Sequence, residues 1–416
     1  MWFLGREPGG FRTDFRPTDE DEGSRNRSFQ YAVPITFEDQ FLPIPDTNSS
    51  FVSSRGHVVA LNRGTYNTEV HIWEGFSTVE MSLKTWYGKK KSYMLDRQSV
   101  SKKDEQKYSK DGGLVIGPDS VDSFVLIADK VTDLLLLQPT LLNPDLEISN
   151  ILSSTALDGG VPDLAEVKRT AVRAAAISAS FIFANKATLS MDLDLEEMMI
   201  LEPRLGRSNL GEVVPVLQFA DKLVNGSGLC TSLADIDPAG SKNLISQLIH
   251  EILNDPAKYP LNDWDTSMHR GQCTQGCYQC LLRYSNQSYH GLLDWRLGLS
   301  FLRVLHEREY VAGANGDFSK VELTDWERVA IDGLSRLKEA VSLPSKILNY
   351  RNLPVLSVET KRGKFGVLIV HPFWSESAVE RFTRASVGDY PAGLISPDSF
   401  TIERRLWAVY QNVPTD

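Results

Sequence analysis

Cysteine is scarce in this chain: four in 416 residues. A secreted disulfide framework of this size would carry more, so extracellular stapling is excluded as an organising principle. No apolar run approaches the ~20 residues of a membrane span, and the N-terminus MWFLGREPGGFRTDF has neither the basic start nor the apolar core of a secretory leader. A cytoplasmic, membrane-free protein is the expectation. There is no excess of positive charge either. The net charge is −10, which excludes a uniformly basic coat but leaves room for a local positive track along nucleic acid. Nor is there a G-x-x-x-x-G-K-[ST] loop. GLVIGPDS and GANGDFSK lack the lysine and hydroxyl that hold phosphate and Mg²⁺, and no DEAD/DEAH-like Walker B sequence follows, so ATP hydrolysis by that route is excluded.

What is present is a globular composition, 42% hydrophobic and 24% charged, long enough for two or three domains. Residues 1–50 are polar and Pro-rich, with an acidic run from Asp19 to Glu22, and read as an extended entry. From Phe51 to about Gln138 the pattern is β: FVSSRGHVVALN, EVHIWEG and SFVLIADKVTDLLLL are short apolar runs divided by turn residues. The period then changes. AEVKRTAVRAAAISASFIFAN (165–185) has helical spacing, LSMDLDLEEMMIL alternates like a strand, and VVPVLQFADKLVNGSG (213–228) reads as a buried strand entering a glycine turn. Amphipathic helices are expected at 241–253, 293–309 and 325–341, followed by two adjoining strands, LPVLSVET and FGVLIVHPF, and an exposed helix. The fold class is therefore mixed α/β: a β-rich part (51–160), an α/β domain around the cysteines (161–312) and a small α/β tail (313–416).

Three of the four cysteines fall within GQCTQGCYQC. Cys277 and Cys280 form a C-x2-C knuckle, whose tight turn points two thiolates into one site, and Cys273 adds a third sulfur. Zinc takes four S or N ligands in a tetrahedron, so a fourth must come from elsewhere. Cys230, in GSGLCTSL, is preferred because it completes an all-thiolate set, and His269, in MHRGQC, is the alternative. Four protein ligands leave no open position for substrate water, which makes the metal structural. A redox dithiol is the competing reading of C-x2-C.

These residues resemble the MrfA-type zinc-binding domain (MZB). That domain ends many DEAD/DEAH-box helicases and forms most of component B of the DISARM anti-phage system. The likeness rests on Cys273, Gly276, Cys277, Cys280, Leu281, Tyr284, Asn286, Gln287, His290, Leu293, Asp294 and Leu297. FADKLVNGSGLCTSL (219–233), with Gly226 and Gly228 at its turn, and LDLEEM (193–198) are similar to elements the family places upstream. GGFRTDF (9–15) is similar to a segment that follows the motor in such helicases. The resemblance implies four-cysteine zinc binding, DNA as a ligand, a DEAD/DEAH-box motor as partner, and a role in helicase-driven DNA repair or phage defence. Lacking the motor motifs, the chain looks like the post-motor half of such a helicase or a separate non-motor subunit of one.

KTWYGKKKSYMLDRQSVSKKDEQKYSK (84–110) carries nine Lys/Arg against three acids, interleaved with aromatics. Cations track phosphates and aromatic rings stack on bases, so Trp86, Lys89, Lys90, Lys91, Lys102 and Lys103 are candidate nucleic-acid contacts; a solvated surface loop has the same composition. Arg283, Arg296 and Arg303 flank the cysteines. Arg283 is the one taken as a DNA contact, while ion pairs with Asp294 or Glu307 compete for the others. Glu359-x-Lys361 has the i, i+2 spacing of a metal-dependent nuclease strand, which makes DNA cleavage the alternative function; a pure interaction scaffold is the third. His250, His371 and Ser227 lack the partners of any catalytic motif and read as structural.

Overall fold

The computed structural model describes residues 41–62, 126–149, 164–208, 210–235, 243–350, 353–383 and 388–415, with short strands between 28 and 119. It is mixed α/β. In chain order the first strands are β1 (Ser28–Pro34), β2 (Leu42–Pro43), β3 (Ser49–Asn62), β4 (Tyr66–Asn67), β5 (Ile72–Trp73), β6 (Thr78–Thr85), β7 (Gly88–Leu95), β8 (Leu114–Asp119) and β9 (Leu126–Pro139). The chain divides into two compact units, residues 1–31 with 58–130, and residues 32–57 with 131–416.

The smaller unit contains a three-stranded antiparallel sheet in the order β7-β6-β8. The lysine triplet lies on β7, an edge strand, with Lys89 opposite Lys84, Lys90 opposite Leu83 and Lys91 opposite Ser82. Trp86, Lys102, Lys103 and the 9–15 segment lie outside the described residues.

The larger unit is organised by helix α1 (Leu164–Ser190). Small residues make this possible. Ala171, Ala174, Ala175, Ala176, Ala179, Ala184 and Ala187 are fully buried, so neighbours approach the helix backbone closely on every side. One side meets an antiparallel sheet that includes β10 (Met198–Arg207) and β11 (Val213–Asp221) in the order β3-β9-β11-β10. The expected strand over LSMDLDLEEMMIL begins only at Met198. α1 runs on to Ser190, and Asp194 then caps a single 3-10 turn, accepting from the Glu196 amide. β11 is buried on both faces beyond its first residue, and the Leu134–Leu137 run of β9 beside it is buried too. A continuous apolar run, rather than an alternating one, is what such a central strand requires.

Glycine turns connect β11 to α2 (Leu229–Ala234), and α3 (Leu244–Asn254) follows, capped by Asn243, whose side chain accepts from the Ile245 and Ser246 amides. Two short helices, α4 (Leu261–Trp264) and α5 (Ser267–Gln272), lead into the cysteine segment. α6 (Trp295–His306) leaves it and packs along α1. There the Asp294 amide donates to Ser178 Oγ at 2.8 Å, and the Asp294 carboxylate caps α6 by accepting from the Arg296 and Leu297 amides.

The C-terminal part is built from α7 (Trp326–Ala340), the strands β12 (Ser345–Tyr350), β13 (Leu353–Thr360) and β14 (Gly363–Leu368), helix α8 (Glu376–Thr383), strand β15 (Gly393–Ile395), and helices α9 (Ser399–Arg404) and α10 (Leu406–Tyr410). Its sheet runs β12-β13-β14-β15, antiparallel except for the last pair, and α7 covers it. No helix among the described residues is long and apolar enough to cross a membrane.

The α1–α6 crossing generates a stability prediction. A Cβ on Gly298 would lie 2.7 Å from Ile182 Cδ1, 2.9 Å from Ser178 Cβ and 3.0 Å from the Ser178 carbonyl carbon. Gly298→Val should cost about 1–3 kcal/mol in urea unfolding, since overpacking at a backbone contact cannot be relieved by a rotamer change. An unchanged midpoint would contradict the close crossing.

Candidate metal centre

α5 is short because each end is fixed locally. Thr266 Oγ1 accepts from the His269 amide at its start, and the Cys273 amide donates to the His269 carbonyl at its end. The chain then turns through Gly276, where a Cβ would stand 3.3 Å from the Leu293 carbonyl oxygen. It folds into a knuckle in which the Cys280 and Leu282 amides donate to the Cys277 carbonyl. In the same turn the Cys277 amide donates to Cys280 Sγ at 3.1 Å. Amides directed at sulfur stabilise thiolate charge, as expected of a C-x2-C turn.

Cys273, Cys277, Cys280 and His269 converge here, with one ligand atom of each lying within 4.8 Å of the others. Cys273 Sγ and Cys280 Sγ are 3.7 Å apart, Cys277 Sγ and Cys280 Sγ 3.6 Å, and Cys277 Sγ and His269 Nε2 3.6 Å. These separations are far too long for a disulfide. They match a metal tetrahedron instead: zinc bonds of about 2.3 Å to sulfur and about 2.05 Å to nitrogen give edges of about 3.8 Å between sulfurs and about 3.6 Å between sulfur and nitrogen.

The imidazole is prepared for this role. Nδ1 of His269 lies 3.1 Å from the Trp264 carbonyl, which only accepts, so Nδ1 carries the proton and Nε2 presents a lone pair to the sulfurs. Trp264 stacks beside the ring and Trp295 covers another side, leaving His269 4% exposed.

Without a metal the three thiols compete. Cys280 is held down to about 5, first by the hydrogen bond from Cys273 and then by the Cys277 amide, His269 and the Leu281 amide. Cys273 is pushed up by that same bond and by burial, and burial raises Cys277. Negative charge therefore settles on Cys280, and binding of a cation would release the protons of the other two.

The preferred fourth ligand of the sequence analysis, Cys230, is not in this group; His269 is. Cys230 is buried at the start of α2 beside Asp221, at the end of β11. The Asp221 carboxylate accepts from the Ser227 amide and hydroxyl and from the Leu229 and Cys230 amides at 2.7–3.1 Å. The turn that delivers these donors has positive φ at Asn225, Gly226 and Gly228, and a Cβ on Gly226 would collide with Asp133. The Cys230 thiol hydrogen-bonds Asp221, and burial raises its pKa well above the ordinary thiol value. It is a packed cysteine in a self-contained turn.

A layer of charge fixes the cysteine loop from behind. Arg296 donates to the Cys273 and Thr274 carbonyls at 3.1 and 2.7 Å, and its guanidinium sits 4.2 Å from the centre of the Trp295 ring. Asp325 pairs with Arg296 at 2.7 Å and with Arg270 at 2.9 Å. Burial opposes ionisation of Asp325, but the bonds from Arg296 and Arg270 outweigh it and lower its pKa. Arg303 is buried against Glu322 at 2.6 Å and pairs with Glu307 at 2.7 Å. Arg296 and Arg303 are thus consumed inside the fold, Arg303 with the Glu307 partner anticipated from the sequence, whereas the Arg283 side chain is exposed. On the far side, Arg404 donates to the Gly291 and Leu293 carbonyls, and Gln275 donates to Glu403. Trp264, Asp325 and Arg404 were missed by sequence reasoning. None lies in the motif, and only the tertiary fold shows that Trp264 contributes through its carbonyl.

Among the described residues Glu359 belongs to no metal-ligating cluster. It is exposed near the end of β13, and Lys361 lies in the turn beyond the strand, so the strand does not run through both residues. His371 is buried, accepting from the Phe373 amide, as a packed turn histidine does.

No family model matches the chain, and no curated protein matches it in sequence. In fold it is similar to the solved structure described as "Crystal Structure of DUF1998 helicase MrfA bound to DNA", over 68% of this chain at 10% identity, with a TM-score of 0.28. The chain covers 25% of that protein's length, and a likeness of this size assigns no function.

Two predictions follow from the centre. His269→Ala and Cys277→Ser should lose bound zinc, measured by plasma mass spectrometry, while Cys230→Ser and His269→Cys retain about one ion per chain; zinc lost in Cys230→Ser and kept in His269→Ala would restore the four-cysteine assignment. The second concerns Glu403, whose carboxyl is pushed up to about 7, first by burial and then by the Asp294 charge, against the Gln275 hydrogen bond and Arg404 and Arg296. The folded state holds this proton more tightly than the unfolded chain, so its stabilising contribution is complete below the ordinary value of 4.5 and is lost as pH rises through about 7. Glu403→Gln should match wild type near pH 4.5 and become the more stable of the two by pH 8 in urea unfolding; parallel curves would refute the linkage.

Proposed function

We propose that this chain is a zinc-stapled, non-motor component of a DNA-helicase assembly, binding DNA and leaving ATP hydrolysis to a DEAD/DEAH-box partner, in phage defence or DNA repair. The observation that carries the reading is the Cys273–Cys277–Cys280–His269 centre. Its donor set and spacings fit zinc, and four protein ligands leave no position for substrate water. Zinc bound there would cross-link the end of α5 to the knuckle and hold the segment up to His290 in place. This role is structural rather than chemical.

The helicase assignment rests on the resemblance of residues 273–297 to the MrfA-type zinc-binding domain, and two positions of that motif have a physical task here. Asn286 is buried, accepting from the Arg283 amide and donating to the Leu281 carbonyl. His290 Nε2 donates to the Arg283 carbonyl and to Asn286 Oδ1. DNA binding is supported by the lysines of β7 and by the exposed Arg283. The nuclease alternative has no comparable support, given where Glu359 and Lys361 lie.

Metal-loaded full-length chain should bind DNA with an affinity that falls log-linearly with salt. Replacing Lys89, Lys90 and Lys91 together by Ala should flatten that slope by about 2–3, each phosphate contact contributing about 0.7–0.9. The chain should also co-purify with a DEAD/DEAH-box motor when the two are expressed together. A wild type with no salt-dependent DNA binding would overturn the DNA part of the proposal, and failure to associate with any such motor the helicase part.

A further inference from the structure

The surface of the cysteine loop has an unusual composition for so acidic a chain. No Asp or Glu occurs between Asp265 and Asp294, although the protein carries 54 acidic residues in 416. What the loop exposes instead is aromatic, amide and cationic. Tyr284 is 84% exposed and Tyr278 67%, and Gln272, Gln279, Arg283 and Gln287 are exposed with them. Two large rings that could be buried and are not require a reason, because a free tyrosine surface gains little from water.

One of the rings is also held in place. Tyr278 stands edge-on to His290 at 5.7 Å, and His290 is fixed in turn by its bonds to the Arg283 carbonyl and to buried Asn286. Arg283 and Tyr284 open the 3-10 turn that Asn286 shapes. Tyr278, Arg283 and Tyr284 therefore project from one stapled loop whose backbone is already ordered, so little conformational entropy remains to be lost on binding.

We infer that Tyr278 and Tyr284, with Arg283 beside them, form a stacking platform for the unpaired bases of single-stranded nucleic acid. Three features favour this occupant. Each base offers a π-face to an exposed ring, regardless of sequence. A guanidinium serves both as a phosphate contact and as a stacking plane. The lack of carboxylates across the loop removes the repulsion that the net charge of −10 would otherwise present to a polyanion. The inference rests on the DNA-binding reading above and specifies which surface meets the strand and by what chemistry.

The test is fluorescence anisotropy of the full, metal-loaded chain with labelled oligothymidylate and with an abasic strand of the same length. Tyr278→Ala with Tyr284→Ala should weaken oligothymidylate binding roughly 5- to 100-fold, the range expected for loss of base–aromatic stacking, and leave abasic-strand binding unchanged. The Tyr278→Phe, Tyr284→Phe pair should bind as wild type does, and zinc content equal to wild type in every variant would confirm that the loop is intact. Equal binding of oligothymidylate by wild type and the double alanine variant would overturn the platform; if binding were then lost in the Lys89, Lys90, Lys91 variant, the DNA-binding reading would survive without it and the tyrosines would become a protein-facing surface. A wild type that binds no oligothymidylate at any salt concentration would overturn the platform together with the wider reading.

Discussion

Three sulfurs and an imidazole nitrogen within 4.8 Å of one another, with three of their separations at tetrahedral edge length, form an arrangement that thiols have little reason to adopt by themselves. Brought this close, they raise one another's cost of ionising, and their negative charge collects on Cys280. A cation at the centre would reverse the sign of that cost, because each thiolate would then face positive charge. The loop from 271 to 293 buries Leu281, Leu292 and Leu293, but its only regular element after the end of α5 is the 3-10 turn Tyr284–Tyr289. Arg296 and Arg404 hold its backbone carbonyls from two sides.

Those arginines explain how the centre is tied to the rest of the larger unit. Arg296 comes from α6, and α6 is positioned by α1 through the Ser178–Asp294 bond and the bare backbone of Gly298. Asp325, at the start of α7, receives both Arg296 and Arg270, so three segments of chain meet on one carboxylate. A chain of contacts therefore runs from an alanine-lined helix, through a capping aspartate, to the carbonyls of Cys273 and Thr274. Removing one charge of a half-buried pair leaves the other unpaired, which is costlier than the pair is stabilising.

The parts of this design that were legible in the sequence are those with a local cause. Helical periodicity marked α1, α3, α6 and α7, and the continuous apolar run marked β11. Three members of the cluster were legible because a C-x2-C turn with a third cysteine nearby has few other uses. The fourth was not, and the reason is physical. Preference for an all-thiolate set pointed to Cys230, but that residue closes a turn around Asp221 and has a partner already. His269 becomes a ligand candidate only because α5 ends where it does and the Trp264 carbonyl fixes its tautomer, and both are consequences of folding. The spacing of Glu359 and Lys361 was legible but the end of their strand was not: spacing places two residues on one face only while the strand continues, and here it ends between them.

The glycine turn after β11 carries one more consequence. In sequence it resembles the turns with which other proteins receive phosphate: a strand, closely spaced glycines, then a helix. In this fold the amides of Ser227, Leu229 and Cys230 already surround a carboxylate supplied by the strand itself. The turn thus contains its own permanent counter-anion, covalently attached and therefore present at an effective concentration no free nucleotide can match. A phosphate arriving here would find its donors engaged and a negative charge in the position it would have to occupy, so at this turn the fold is closed to nucleotide.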